Sequence, residues 1–397
     1  MTSMPAHLAD GWGRSGLAYL TGLPGGNPDF SRANLLARAE AVAATAGSRL
    51  GVAIDAAGLL TGRAALLGLT RGGRVSAGGA TRLLAAGDGW CAITLSRPDD
   101  VAAVPALLQA DEVPVDPWPS LTRWAATCEA STIVERARLL DIPAAGLGEA
   151  AAAPPRIRPA GPRASAREMT GLLVADLSSM WAGPLCGQLL ARAGATVVKV
   201  ESPRRPDGTR KGNRAFFDWI NGQKLSYCVD FDNQADELRE LIAAADVVIE
   251  GSRPAALARR RLGPTDIAPR PGRIWLRLSG YDDSRPGFGD DAAVAGGLVG
   301  TSPEGPVFCG DAIADPLSGL EAGAAVAESL ARGGGELIHV SMAAVAATYA
   351  ALPTAVSVSE SPAPPPPLPQ VSGPAPELGH DNDAVRRLVV QRRCLTC

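Results

Sequence analysis

Short apolar runs separated by polar, glycine-containing turns recur through the middle of the chain. Leu172-Leu-Val-Ala-Asp-Leu177, Thr196-Val-Val-Lys-Val-Glu201, Asp246-Val-Val-Ile249, Ile274-Trp-Leu-Arg-Leu278 and Glu336-Leu-Ile-His-Val340 are largely apolar and have strand length. A Ser-Ser-Met-Trp-Ala-Gly-Pro184 loop follows the first run and leads into a helix through Leu189, Leu190 and Ala193. Gly194 is placed to stop that helix. A further helix is expected over 233–244. The alternation predicts an α/β fold with a Rossmann-like parallel sheet covered by helices on both faces. The N-terminal region reads as helix-rich, with one clear strand at Trp90-Cys-Ala-Ile-Thr-Leu95, and is expected to form a smaller α+β domain.

Two proline-rich breaks punctuate the pattern, at Ala153-Pro-Pro-Arg-Ile-Arg-Pro-Ala-Gly-Pro162 and Ser361-Pro-Ala-Pro-Pro-Pro-Pro-Leu-Pro369. Both read as extended linkers. They divide the chain into a small-domain-like region (1–150), a linker (151–168), a Rossmann-like catalytic region (169–350) and a proline-rich tail (351–397).

Composition narrows the function classes. With 38 basic and 41 acidic residues, the net charge of −3 gives no general attraction to nucleic acid or to an anionic membrane. Seven scattered cysteines, an odd number, suit reduced thiols in the cytoplasm, and Met1 to Gly16 carries no signal-peptide pattern. The uncharged run Val340 to Val358 is rich in small residues and broken by Pro353, which favours a buried helix and turn over a membrane span. The lone Cys394-Leu-Thr-Cys397 is weak evidence for a metal.

Three dispersed histidines (His7, His339, His380) argue against a histidine metal site and against most histidine-dependent triads. No GxSxG, HExxH or P-loop motif occurs. Glu201 ends the second strand where a dinucleotide fold keeps its ribose-binding acid, but the preceding loop is not GxGxxG. The loop 202–214 holds five basic residues against one acid, beyond a strand's carboxyl end. It suits the phosphates of a nucleotide-like ligand, or a solvated surface. Arg253 and Arg259-Arg-Arg261 form a second cluster with the same two readings. Asp290-Asp291, after Gly287-Phe-Gly289, suits acid/base chemistry or helix capping. Asp315-Pro316 opens an Ala-rich helix, either as a cap or as a carboxylate nucleophile kept ionised by the helix dipole.

Taken in order, several segments resemble the family III CoA-transferases of the CaiB/BaiF type, which also include α-methylacyl-CoA racemases. They are Val174-Ala-Asp-Leu-Ser-Ser-Met-Trp-Ala-Gly-Pro184, Leu190-Ala-Arg-Ala-Gly-Ala-Thr-Val-Val-Lys-Val-Glu-Ser-Pro203, Asp207-Gly-Thr-Arg210 and Asn221-Gly-Gln-Lys-Leu-Ser226. Ala245-Asp-Val-Val-Ile-Glu250, Leu278-Ser-Gly280, Asp315-Pro-Leu-Ser-Gly319 and His339-Val-Ser-Met342 complete the set.

The resemblance implies that Asp315 is a nucleophile forming an aspartyl-CoA thioester, with an acyl-CoA and a carboxylic acid as partners. Coenzyme A is then a substrate, with no tightly bound cofactor, and the protein is expected to be a homodimer. CoA contacts are implied at Ala182, Val229 and Arg259, with Arg204, Arg205 and Arg210 facing phosphates. Gly251 and Ser252 stand where the family usually has Asn and an aromatic residue. The family's racemases have a His where this chain has Asp290, which disfavours racemization. Gly78 to Leu95 and Leu140 to Ala145 resemble the family's small domain, which normally follows the nucleophile, so a permuted order is expected. The readings carried forward are CoA transfer through Asp315, 2-methylacyl-CoA racemization using Asp290 or Asp291 with Asp315, and a non-catalytic CoA-binding role.

Overall fold

The computed structural model describes residues 6–251, 254–354 and 361–394. The N-terminal part opens with helices, among them Ala33–Leu50 and Ala56–Leu67, the latter capped by the Asp55 carboxylate on the Gly58 N–H. Three strands follow, β1 (Thr81–Ala86), β2 (Gly89–Thr94) and β3 (Ala144–Gly146), in one antiparallel sheet of order β1-β2-β3. Only β2 was expected. β3 is three small residues without β-branching, and it is a strand because Cys91 to Ile93 offer it a pairing edge.

The next strands are β4 (Arg156–Pro159), β5 (Leu173–Leu177), β6 (Thr196–Glu201), β7 (Leu225–Cys228), β8 (Val247–Glu250) and β9 (Ile274–Ser279). The β10 (Val299–Ser302) and β11 (Gly305–Phe308) hairpin and β12 (Glu336–Ser341) complete the set. Among the described residues, seven strands form one sheet of order β4-β12-β9-β8-β5-β6-β7. All its pairings are parallel except β4 on β12. The stretch expected as a linker is extended, yet β4 within it closes a sheet edge. From β5 the chain winds outward through β6 and β7, then returns to add β8, β9 and β12 on the other side. That reversal puts the topological switch point at the carboxyl ends of β5 and β8, where Leu177 and Glu250 lie in register and where open parallel sheets carry their ligand crevice.

One face of the sheet carries helix Ala182–Arg192 beneath helix Ala314–Ala331, with the N-terminal helix Ala33–Leu50 packed outside them in one continuous core. Glycine permits this stacking. A Cβ on Gly319 would lie 2.7 Å from the Ala182 carbonyl oxygen and 2.9 Å from Leu185. Helices Ala235–Ala244 and Asn382–Cys394 cover the opposite face.

The segment after residue 360 is anchored, not trailing. Pro362 and Pro366 press on Gly13 and Gly16, where no side chain intervenes. The Asn382 side chain bonds both the N–H and the carbonyl of Cys228, which satisfies part of the β7 edge. Arg392 pairs with the buried Asp246, which also takes Arg167 at 2.9 Å. The expected buried helix after His339 is present at Met342–Ala350. Among the described residues no helix is long and apolar enough to cross a membrane. Cys397 lies outside the described residues.

The Gly319 crossing is testable. Gly319→Val should lower unfolding free energy by about 1–3 kcal/mol, because the Ala182 carbonyl cannot swing aside and Leu185 also fills the space. An unchanged denaturant midpoint would contradict the close crossing.

Candidate active site

Two buried ion pairs shape the crevice. Asp176, near the end of β5, accepts from Lys224 Nζ at 2.8 Å and from the Ser178 N–H at 3.1 Å. Lys199 on β6 donates to Asp207 at 2.7 Å and to the Ser178 carbonyl. Asp207 also takes the Met180 N–H at 3.2 Å and the Thr209 N–H at 3.0 Å. Burial alone would raise both carboxyls, but the lysines and hydrogen bonds outweigh it and hold them below the usual carboxylate range. These contacts fix the loop Ser178–Trp181, in which Met180 adopts a φ of 73°.

The residues expected to contact CoA are distributed around this crevice. Ala182 is buried at the start of its helix, and Val229 is buried directly after β7. Gly251 follows β8, and a Cβ there would lie 3.1 Å from that of Ser178. Ser252 and Arg253 lie outside the described residues.

The two basic clusters, distant in sequence, meet around shared acids. Arg204 pairs with Asp230 and Asp232, and Arg260 pairs with Asp232. Arg205 and Arg259 are exposed beside them. Arg210 is committed elsewhere. It grips Glu201 at 2.8 and 2.7 Å, donates to the Pro376 carbonyl and stacks on Phe217 at 4.4 Å. That pairing also occupies the acid considered as a ribose ligand, and it ties the tail to β6.

Asp315 is the second residue of helix Ala314–Ala331 and does not cap it. Its Oδ2 accepts the Gly289 N–H at 3.1 Å, and Oδ1 has no hydrogen-bond partner among the described residues. A Cβ on Gly289 would sit 2.5 Å from that Oδ2, so glycine is required for the approach. Asp290 turns to the Ala312 N–H at 3.0 Å and the Thr81 hydroxyl at 3.3 Å. Asp291 is fully buried. It accepts from the Tyr281 hydroxyl at 2.5 Å, the Thr94 hydroxyl at 3.0 Å and the Phe288 N–H at 3.0 Å. The capping reading thus holds for Asp291 alone.

Arg63 and Asp311 join this cluster without having been singled out in the sequence. Arg63 Nη1 donates to Asp311 Oδ1 at 2.6 Å, and its guanidinium lies over the rings of Trp181 and Phe216 at 5.6 and 5.8 Å. The signal was available: Arg63 is the lone charge in the apolar helix Ala56–Leu67.

Burial pushes the Asp315 carboxyl up to about 7, with Asp290 and Asp291 adding to the rise while Arg63 and the Gly289 N–H oppose it. Burial likewise raises Asp290 to about 6 and Asp291 to about 7. The expectation that the helix dipole keeps Asp315 fully ionised is therefore not met, because desolvation and neighbouring acids prevail.

His339 sits apart. Its Nε2 is 2.8 Å from the Ser279 hydroxyl, and Arg156 donates to its Nδ1 at 2.8 Å. Nδ1 must then be the acceptor, which leaves the proton on Nε2 and no base facing Ser279. Among the described residues no group of three or more His, Cys, Asp or Glu is arranged to hold a metal ion.

The fold and site define a doubly wound α/β protein with a crevice at its topological switch point and a buried acid cluster paired to one guanidinium. Residues 169–377, more than half of the chain, match CoA-transferase family III, and the chain belongs to that family. It is 29% identical over 198 residues to succinyl-CoA–D-citramalate CoA-transferase of Chloroflexus aurantiacus, covering 44% of this chain and 49% of that protein. It is 30% identical over 202 residues to succinate–glutarate CoA-transferase of Agrobacterium fabrum, covering 44% and 50%. The chain thus spans about half the length of these curated relatives. A solved structure of a CAIB/BAIF family protein from Brucella suis aligns at 29% identity over 45% of this chain and 54% of that one, with a TM-score of 0.41.

The raised Asp315 carboxyl has a consequence for stability. Between its ordinary value of 3.8 and about 7 the folded state keeps a proton that the unfolded state has lost. Stability therefore falls as pH rises through that window and levels off above it. Asp315→Asn removes the term, so it should stabilise the protein at pH 8 by roughly 1–3 kcal/mol more than near pH 4. Thermal unfolding of both proteins across pH checks this; a difference independent of pH would contradict the burial of an ionisable Asp315.

Proposed function

We propose that this protein transfers CoA between an acyl-CoA thioester and a carboxylic acid, with Asp315 as the nucleophile. The observation carrying this reading is the asymmetry of that carboxylate: one oxygen is held by the Gly289 N–H, while the other is free of hydrogen bonds from described residues. In the ionised form the free oxygen attacks the thioester carbonyl carbon. The C–S bond breaks and the CoA thiolate leaves with the electron pair, forming a mixed anhydride on Asp315. The thiolate then attacks the Asp315 carboxyl carbon and expels the first carboxylate, leaving an aspartyl-CoA thioester. An incoming carboxylate attacks that thioester, and the released thiolate attacks the new acyl carbon, which returns Asp315. No net proton is consumed.

The relatives named for succinyl-CoA and glutarate transfer support this chemistry in kind. Racemization draws less support, because both Asp291 oxygens already accept hydrogen bonds. The permuted-order reading is supported by the N-terminal residues Arg63, Thr81 and Thr94 in the acid cluster. For CoA we assign the adenine-nucleotide phosphates to Arg205 and Arg259 beside the Arg204–Asp232–Arg260 cluster, with the thioester arm running through the crevice at Gly251. Arg210 drops out of this assignment, since Glu201 holds it.

Asp315→Ala should abolish CoA transfer while CoA still binds. Intact mass after incubation with a panel of acyl-CoAs, followed by hydroxylamine trapping, should show an adduct on the parent protein and none on the variant. Full turnover by Asp315→Ala would end the proposal.

The phosphate assignment has its own test. Arg205→Gln combined with Arg259→Gln should weaken CoA binding about tenfold or more and flatten its salt dependence. Equal affinity at low ionic strength would return these residues to the solvated surface.

A further inference from the structure

Four carboxylates, those of Asp290, Asp291, Asp311 and Asp315, converge on a region served by one guanidinium. Arg63 comes from a helix of the N-terminal region, outside the matched residues 169–377. Two features place it rigidly. Its neighbour Gly62 lets the helix press on Trp219, where a Cβ would fall 2.6 Å from the indole. Its guanidinium lies over both Trp181 and Phe216, whose rings meet edge to face at 5.5 Å.

Arg63 reaches the nucleophile through a short turn. Asp311 is fully buried, with Oδ1 on Arg63 and Oδ2 without a hydrogen-bond partner among the described residues. Gly310 and Ala312 on either side take φ values of 66° and 42°, a left-handed path that delivers the chain into the helix bearing Asp315. The Ala312 N–H is held from the other side by Asp290. The turn is therefore clamped by Arg63 at Asp311 and by Asp290 at Ala312.

We infer that Arg63 is a positioning residue for Asp315, anchoring the 310–313 turn through Asp311 and supplying the positive charge that favours the reactive carboxylate form. The groups facing Asp315 are Arg63, Asp290 and Asp291 from the helix Gly289–Ala295, and the Gly289 N–H, while Asp311 acts on Arg63 and Asp290. Arg63 is the only cation among them. The catalytic weight of this inference rests on Asp315 being the nucleophile; its electrostatic content does not.

The test uses the full chain and reads Asp315 ionisation without substrate. The thermal-stability difference between Asp315 and Asp315→Asn proteins is followed across pH in parent, Arg63→Gln and Arg63→Lys backgrounds. In Arg63→Gln the midpoint of that difference should move up by about one pH unit or more, and Arg63→Lys should restore it. Should Arg63→Gln alone leave Asp311 too poorly paired to fold, Arg63→Gln with Asp311→Asn replaces the ion pair by an amide pair and should show the same upward movement. A midpoint that stays in place without the guanidinium overturns the inference, whatever the role of Asp315. In acyl-CoA turnover, Arg63→Gln should shift the acidic limb of the kcat profile upward by the same interval while leaving CoA affinity within about twofold. A uniform loss of kcat at every pH would overturn it in favour of a purely structural role. Turnover by Asp315→Asn would strike the nucleophile reading alone, and the stability midpoints would still decide for or against Arg63.

Discussion

The acid cluster around Arg63 is the constraint on which the site depends. Carboxylates drawn together, two of them fully buried and two half-buried, repel one another and resist ionisation, and a single guanidinium cannot neutralise four of them. Asp290, Asp291 and Asp315 accordingly sit near neutrality in their titration.

Close backbone packing makes the arrangement possible. Gly319 brings helix Ala314–Ala331 onto helix Ala182–Arg192, Gly289 brings the neighbouring turn onto the Asp315 carboxylate, and Gly62 lets the N-terminal helix meet Trp219. Trp181 then links the two halves of the site: it ends the loop held by the buried lysine pairs and lies under the Arg63 guanidinium. Geometry at the crevice is thereby coupled to electrostatics at the acid cluster through one aromatic ring.

Much of the central sheet was legible because buried parallel strands are written as short, largely apolar runs, and β5, β6, β8, β9 and β12 all take that form. β3 and β4 were not, since Ala144 to Gly146 and Arg156 to Pro159 have no strand pattern of their own and are extended only where a neighbouring edge accepts them. The proline-rich segments were recognisable as extended but not as packed. Their contacts, such as Pro366 on Gly16, join residues hundreds of positions apart.

For the site, the sequence by itself determined which residues were candidates and in what order: Asp290, Asp291, Asp315, the basic runs and the loop ending in Trp181. Local sequence also set the Gly-rich turn and the Ala-rich helix that hold the carboxylates. Tertiary structure alone decided how those groups are paired. It gave Arg210 to Glu201, brought Arg204 and Arg260 to Asp232 as a common acid, and placed Arg63 with Asp311 across a separation of 248 residues. Ionisation followed the same division. A helix N-terminus is a local feature that favours charge, whereas burial and converging acids arise only when distant segments meet, and in this cluster they prevail.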